Sequence, residues 1–415
     1  LGGALTAGCR DGVGPLPDGG GLPSPGPQIM DSGSASEDTG TELVDGGTTG
    51  PRPDSGPSCE PLTCAHQGLD CGLTDDGCGQ PLDCGVCGQW TRMSDEGARE
   101  GSRLGALIWT GAEVFVWAGI NRVGPPTPVG GVYDPAQDAW RGVSELDAPP
   151  ATTQPCATSL VGHAFVFGGS VPGSVTNEGG YYDLSTDIWR SLPQQGAPSA
   201  RTRPACAEID GKAAVLGGAR REDSDGALYD PATHSWSAIP SSPVPFDFPV
   251  MVSTGRSLIV GPGPWLAYDV QQGTWRTLPT EGAPSQRASA GMVNTPLGVM
   301  VFGGVTANGD RLDDAYLLTE NPDTWTRLST EGGPSPRKPA VMAWTGQEVL
   351  MWGCQRGCRD GFHFNLQTQT WRPMARNLDI GSPQEAQGVW TGEELIVWGG
   401  SQGFGPQSSG WRYRP

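Results

Sequence analysis

One turn-and-strand signal returns seven times along the chain at a nearly constant interval. A short apolar run ends in a glycine pair or a close variant of it. The seven copies are Val116-Trp117-Ala118-Gly119, Val166-Phe167-Gly168-Gly169, Val215-Leu216-Gly217-Gly218, Ile259-Val260-Gly261-Pro262, Val301-Phe302-Gly303-Gly304, Met351-Trp352-Gly353-Cys354 and Val397-Trp398-Gly399-Gly400. Gly119 to Gly400 is six steps over 281 residues, about 47 each. A second signal follows the first: Tyr133-Asp to Trp140, Tyr182-Asp to Trp189, Tyr229-Asp to Trp236, Tyr268-Asp to Trp275, and Phe364-Asn to Trp371. Tyr316 to Trp325 reads as the same signal stretched by two residues. A repeat of this length is one supersecondary unit that buries its apolar face only by stacking on its neighbours.

The physics of the unit is that of four strands. A first strand ends in a Thr-Gly or similar turn, as at Trp109-Thr110-Gly111, Trp344-Thr345-Gly346 and Trp390-Thr391-Gly392. The second is an apolar run expected to be buried on both faces, closed by glycine that permits positive φ and close backbone approach. The third ends in Tyr-Asp, whose carboxylate caps the next turn. The fourth carries Trp, with enough area to pack between neighbours. Helical periodicity is absent, and no apolar run approaches the ~18 residues of a membrane span.

These residues resemble the kelch-repeat β-propellers of the galactose oxidase/kelch-like superfamily, over nearly all of residues 88–415. The resemblance implies an all-β, seven-bladed propeller. The chain ends imply how the ring closes. Tyr413-Arg414-Pro415 aligns with Tyr133-Asp134-Pro135, and no fourth strand follows it. Gln89-Trp90-Thr91-Arg92-Met93 resembles Thr274-Trp275-Arg276-Thr277-Leu278 and is expected to supply that strand from the front. Closure removes exposed strand edges.

The front of the chain differs in kind. All 31 aromatic residues lie at Trp90 or later. In residues 10–57, Gly, Pro, Ser and Thr make up 29 of 48, so the segment lacks the apolar area to offset ordering and reads as a disordered linker. Leu5-Thr6-Ala7-Gly8-Cys9 resembles a bacterial lipoprotein lipobox, with Thr6 where leucine is usual. Residues 1–9 are accordingly expected to be a truncated signal peptide, with Cys9 lipidated and anchoring the chain to a membrane. An ordinary cleaved secretory signal is the alternative. Either places the protein in the exported class: a cell-surface or outer-membrane lipoprotein, or a secreted protein.

Eleven cysteines fit that address. Cys59, Cys64, Cys71, Cys78, Cys84 and Cys87 crowd residues 58–87, a segment too small for its own core, expected to be a module stapled by three disulfides. Zinc is the rival, since Cys84 and Cys87 have ligand spacing, but no second such pair follows. The module is similar to a Cys-rich unit on exported proteins of some Gram-negative bacteria. Cys354 and Cys358 flank a tight loop. Cys156 and Cys206 recur near one point of successive repeats, where a bridge and two free thiols are both open readings.

The formal net charge of −19 excludes nucleic acid as a natural partner. No catalytic residue, metal or cofactor is expected. Gly399-Gly400-Ser401-Gln402-Gly403 matches a nucleophile-elbow pattern but falls on the repeat's own glycine pair. His163, His234 and His363 lie one per repeat, which argues against the copper site of the oxidase relatives. Asp223-Ser224-Asp225-Gly226 opens like a calcium loop without its later ligands. The motif Pro198-Ser199-Ala200-Arg201 recurs at Pro284–Arg287 and Pro334–Arg337, with Arg103 placed more loosely. Arg103, Arg201, Arg287 and Arg337 are binding candidates as a ring that grips an anion. The competing reading is structural pairing. The expected function is a non-catalytic, monomeric binding module whose partner, a protein or a glycan, sits on the loops between second and third strands. Those loops run over residues 120–130, 170–179, 219–226, 305–314, 354–361 and 401–409, and blade four has almost none. The alternative is a sialic-acid mutarotase type of sugar enzyme, for which Glu208 would be the acid.

Overall fold

The computed structural model describes residues 59–63, 73–83, 88–98, 103–120, 125–219, 224–246, 248–261, 263–354, 357–377, 379–380, 384–402, 405–406 and 408–415. They belong to a compact unit that runs from Cys59 to Pro415. Residues 1–58, where the lipobox with Cys9 and the linker are expected, lie outside the described residues, as do Cys64, Cys71, Cys84 and Cys87.

Seven four-stranded antiparallel sheets form the blades, and no helix occurs among the described residues. Blade one is built from Ala106–Trp109, Val114–Trp117, Gly130–Asp134 and Ala139–Gly142. Blades two to six repeat this order over 156–191, 205–239, 250–277, 291–328 and 341–373. The first strands of the seven blades neighbour one another in cyclic order, the last touching the first, so they form the inner wall of a closed ring. This is a seven-bladed β-propeller.

Each second strand is buried along its apolar run, as in Val114–Trp117, Val349–Trp352 and Leu395–Trp398, and in blades two, three and five only the first residue of the strand is partly exposed. Neighbouring blades cover both its faces, which is why its sequence is continuously apolar rather than alternating. The third strand ends in the expected cap. Asp134 Oδ1 accepts from the Ala136 and Gln137 amides, and Asp183, Asp230 and Asn365 repeat the pattern.

The fourth-strand tryptophans do more than fill space. Trp189 packs on Trp117, Trp236 on Phe167, Trp371 on Phe302 and Trp140 on Trp398, each ring meeting the second strand of the blade before it. At ~25 cal/mol/Å2 over ~150–250 Å2, burial of one such ring is worth roughly 4–6 kcal/mol. Their indole N–H groups also reach back. Trp140 donates to the Ser94 carbonyl, Trp189 to Ser144, Trp236 to Pro193, Trp275 to Pro240, Trp371 to Ser329 and Trp90 to Ala375, at 2.7–2.9 Å. Every acceptor lies just beyond the fourth strand of the preceding blade. Trp325 is the exception, its buried N–H unpartnered.

Blade seven combines both ends of the chain. Its strands are Gln387–Trp390, Leu395–Trp398, Gly410–Arg414 and, outermost, Gln89–Arg92. Trp90 pairs with Tyr413, and Gln89 with Arg414. The approach is close enough that a Cβ on Gly88 would stand 2.3 Å from the Tyr413 hydroxyl.

Blade five corrects one sequence alignment. Leu318, not Tyr316, lies opposite Trp325, as Tyr133 lies opposite Trp140. The turn is therefore not stretched. Leucine has replaced the tyrosine, and Tyr316 lies two residues earlier with Arg287 over its ring at 5.6 Å.

Deleting residues 88–94 should leave blade seven three-stranded and open the ring. Trp90→Ala should cost about 3 kcal/mol, since a tryptophan ring and its hydrogen bond are both lost. Thermal unfolding checks both; a deletion variant that melts with the parent would contradict closure by this strand.

Candidate functional site

The repeated arginines are the first candidates, and their geometry is unambiguous. Arg201 Nε donates to the Ser199 carbonyl and Nη2 to its hydroxyl. Nη1 donates to the carbonyls of Gly217 and Asp225, and Nη2 also meets the Asp225 carboxylate. Arg287 repeats this on Ser285, Gly303 and Asp314, and Arg337 on Ser335 and Asp360. Each guanidinium thus ties the entry of a first strand to the start of the third strand in the same blade. The three side chains are 0–2% exposed. Arg201 and Arg287 have all their donors engaged, so neither has an edge left for an anion. Burial opposes the charge on Asp225 and Asp360. The Ser199 amide and Arg201 in one case, and Arg337 in the other, still hold these carboxyls below their usual range.

Arg103 belongs to a different position. Its backbone bridges Ile120 as Ala288 bridges Val305, so it aligns with the residue after Arg287. The longer segment before it in blade one accounts for the misalignment. Arg103 pairs with Glu385 of blade seven at 3.2 Å and is partly exposed. The four arginines therefore form no ring of equivalent groups.

The second-to-third-strand loops share one face with these arginines. Blade two closes its loop as a short hairpin, Ser170–Val171 against Ser174–Val175. Blade five folds Val305 to Arg311 into a compact hairpin, with Thr306 N–H on the Asp310 carbonyl at 2.9 Å. Blade four turns at Gly263-Pro264 and raises nothing comparable. The result is a notch of about 440 Å3 over blade four, walled by Val244, Pro245, Phe248, Pro264 and Val305–Ala307. Phe248 sits there at φ 53°, a conformation that bulky residues rarely adopt, with Arg203 stacked 5.2 Å from its ring. A second hollow of about 350 Å3 lies beyond the same hairpin, lined by Arg311, Lys338 and Cys354.

The remaining candidates are dispersed. His163 accompanies Asp183 in blade two, and His234 bonds Tyr229 in blade three. His363, in blade six, is fully buried between Tyr413 and the Glu348–Arg372 pair. No cluster of three or more His, Cys, Asp or Glu with metal-holding geometry occurs among the described residues. Glu208 is exposed in a first strand and accepts the Gly211 amide at 2.8 Å, a turn cap. Asp225 of the calcium-like string is the partner of Arg201. Cys156 and Cys206 are joined between the innermost strands of blades two and three, Cys354 and Cys358 across their loop, and Cys59 to Cys78 ahead of the first blade strand.

A rigid seven-bladed ring with unequal loops on one face is the class of protein these features define. A comparison with family models bears on which propeller it is: the KLHDC2/KLHL20/DRC7 Kelch-repeats domain matches residues 264–413, from the turn of blade four through the third strand of blade seven. That match and the seven blades together support a kelch propeller. No curated protein matches the chain. Sequence reasoning missed the serine and aspartate partners of the arginines because the aspartates lie 23–27 residues downstream. The Pro-Ser-x-Arg motif, followed by an Asp at the head of the third strand, would have revealed them.

Arg287→Ala strips the partly buried Asp314 of its partner and should cost about 3 kcal/mol in chemical denaturation. Arg287→Lys should recover little, because an ammonium cannot reproduce the five-donor fork. A second expectation concerns pH. Burial lowers the His363 pKa, so below its unfolded value of ~6.5 the unfolded chain binds a proton that the folded one refuses. Its contribution is complete above that pH and declines as pH falls. Glu348, held at about 2 by the His363 bond and Arg372, loses its contribution only further into acid, below its unfolded value of ~4.5. His363→Gln should flatten the stability profile between about pH 6.5 and 5; an unchanged slope would contradict a neutral buried imidazole.

Proposed function

We propose that this propeller is a non-catalytic binding module whose partner is a protein that inserts a segment into the notch over blade four. The observation that carries this reading is the contrast within one face. Buried arginines, each paired with an Asp, fix the strand entries, while the loops above them differ in length and fold. Binding sites on rigid scaffolds are placed in that way, because loops vary without cost to the frame. Kelch propellers generally bind protein partners, which agrees. The notch offers a mixed lining, apolar at Val244, Pro245 and Val305 and polar at Gln286 and Thr306, and an aromatic ring already held in an unusual conformation, and such pre-organised pockets are where binding energy concentrates.

The proposal extends to display. Lipidation at Cys9 and the 48-residue linker that follows would hold the propeller at the surface of a bacterial envelope, free to sample partners over a span of roughly 35–40 Å by coil scaling. The −19 net charge is compatible with a soluble, monomeric domain at such a surface.

Capture from envelope extracts on the immobilised protein is the test. Ala307→Glu places a charge at the mouth of the notch on an exposed hairpin and should abolish capture without moving the melting temperature. Phe248→Ala should weaken it about tenfold or more. Equal capture by the parent and both variants would exclude the notch as the site. For display, Cys9→Ser should shift the protein from the membrane to the soluble fraction.

A further inference from the structure

The face opposite the notch, where first strands turn into second strands, carries a pattern unrelated to ring closure. Register fixes one position in every blade, the residue three places beyond the start of the inner hairpin. Trp109 occupies it in blade one, opposite Val114, Trp344 in blade six, opposite Val349, and Trp390 in blade seven, opposite Leu395. The same position holds Ser159, Glu208 and Asn294 in blades two, three and five, and Thr254 follows the first strand of blade four. Three tryptophans thus stand side by side in consecutive blades, six, seven and one. The other four blades carry hydrogen-bonding side chains.

These tryptophans differ from those of the fourth strands. One side of each ring packs on a core cluster between blades, and the ring remains partly exposed. Among the described residues none of the three makes a ring–ring contact, and none of their indole N–H groups has a partner. Trp344 forms a wall of a hollow of about 580 Å3 on this face, together with Thr254, Asn294, Leu297 and Glu320. The Asn294 amide is likewise without a partner among the described residues. Glu320 Oε1 holds Arg276 at 2.6 Å, which orients its carboxylate along the rim.

We infer that this face binds a neutral oligosaccharide, seated on Trp344 in the hollow and extended toward Trp390 and Trp109. A pyranose presents an apolar C–H face that stacks on an indole, and a rim of hydroxyls that both donate and accept. The hollow offers the complement: an aromatic face with a free N–H, an amide with both capacities, and a carboxylate acceptor at Glu320. A proline-rich peptide also stacks on exposed tryptophan, but its backbone supplies carbonyl acceptors and no N–H at proline, so the acceptors of this rim would go unmet. The carboxylate and the net charge of −19 disfavour an acidic glycan. This site is separate from the loop-face notch and does not depend on it.

The full-length protein is titrated with linear hexasaccharides of glucose, N-acetylglucosamine and mannose, and with a proline decamer, read by tryptophan fluorescence and calorimetry. At least one hexasaccharide should bind. Trp344→Ala and Asn294→Leu should each weaken it about tenfold or more. Trp390→Ala should weaken the hexasaccharide more than the matching disaccharide. Phe248→Ala, on the opposite face, should leave sugar affinity unchanged while it impairs protein capture. Asn294 is half-exposed, so its leucine variant tests the site even if Trp344→Ala unfolds. No binding of any hexasaccharide at about 10 mM, binding indifferent to Asn294→Leu, or binding of the proline decamer alone would each overturn the inference.

Discussion

The structure depends on one hydrogen bond repeated around a ring. An indole N–H in the fourth strand of a blade donates to a carbonyl just past the fourth strand of the blade before it. Both groups are partly shut off from water, so each needs the other, and an unmade bond leaves two polar groups to desolvate. The ring that carries the N–H also packs on the preceding second strand, at interplanar angles of 47–68° where that strand offers an aromatic partner, so one side chain makes both contacts. Trp90 makes this bond from the N-terminal strand to Ala375, and so closes the circle with the same contact that builds it. The two faces of the ring are then secured by different pairs, in some of its blades. Arg201, Arg287 and Arg337 hold the loop side, and Arg141–Glu113, Arg372–Glu348 and Arg412–Glu394 hold the turn side.

The frame was legible in the sequence because burial on both faces imposes a continuous apolar run, and at least one glycine closes that run in every repeat. The closure by residues 89–92 was legible for the same reason: Trp90 and Tyr413 carry the repeat's own pattern at the two chain ends. Spacing was a poorer guide than register. Tyr316 was counted as the repeat tyrosine by its distance from Trp325, but pairing puts Leu318 there, and the tyrosine serves Arg287 instead. Arg103 was grouped loosely with the other arginines, although its backbone bridge places it one residue on.

The candidate sites were less legible. The notch over blade four exists because one loop is short, and a missing loop leaves only a gap in an alignment. Its floor and walls come from three blades, so no local string encodes it. The turn-face tryptophans were visible as strand ends. That they fall in consecutive blades with free N–H groups, while polar residues take the same place elsewhere, follows only from the register of seven hairpins.

A ring fixed in this way leaves two faces that can vary independently, one with loops and one with turns. The account therefore rests on which tryptophans bind the frame and which do not. Hydrogen exchange at the indole N–H groups, followed by nitrogen-15 NMR, tests this directly. The account predicts that Trp90 exchanges as slowly as Trp140, Trp189, Trp236, Trp275 and Trp371, while Trp109, Trp344 and Trp390 exchange near the rate of free indole. A fast Trp90, or three slow turn-face indoles, would contradict it.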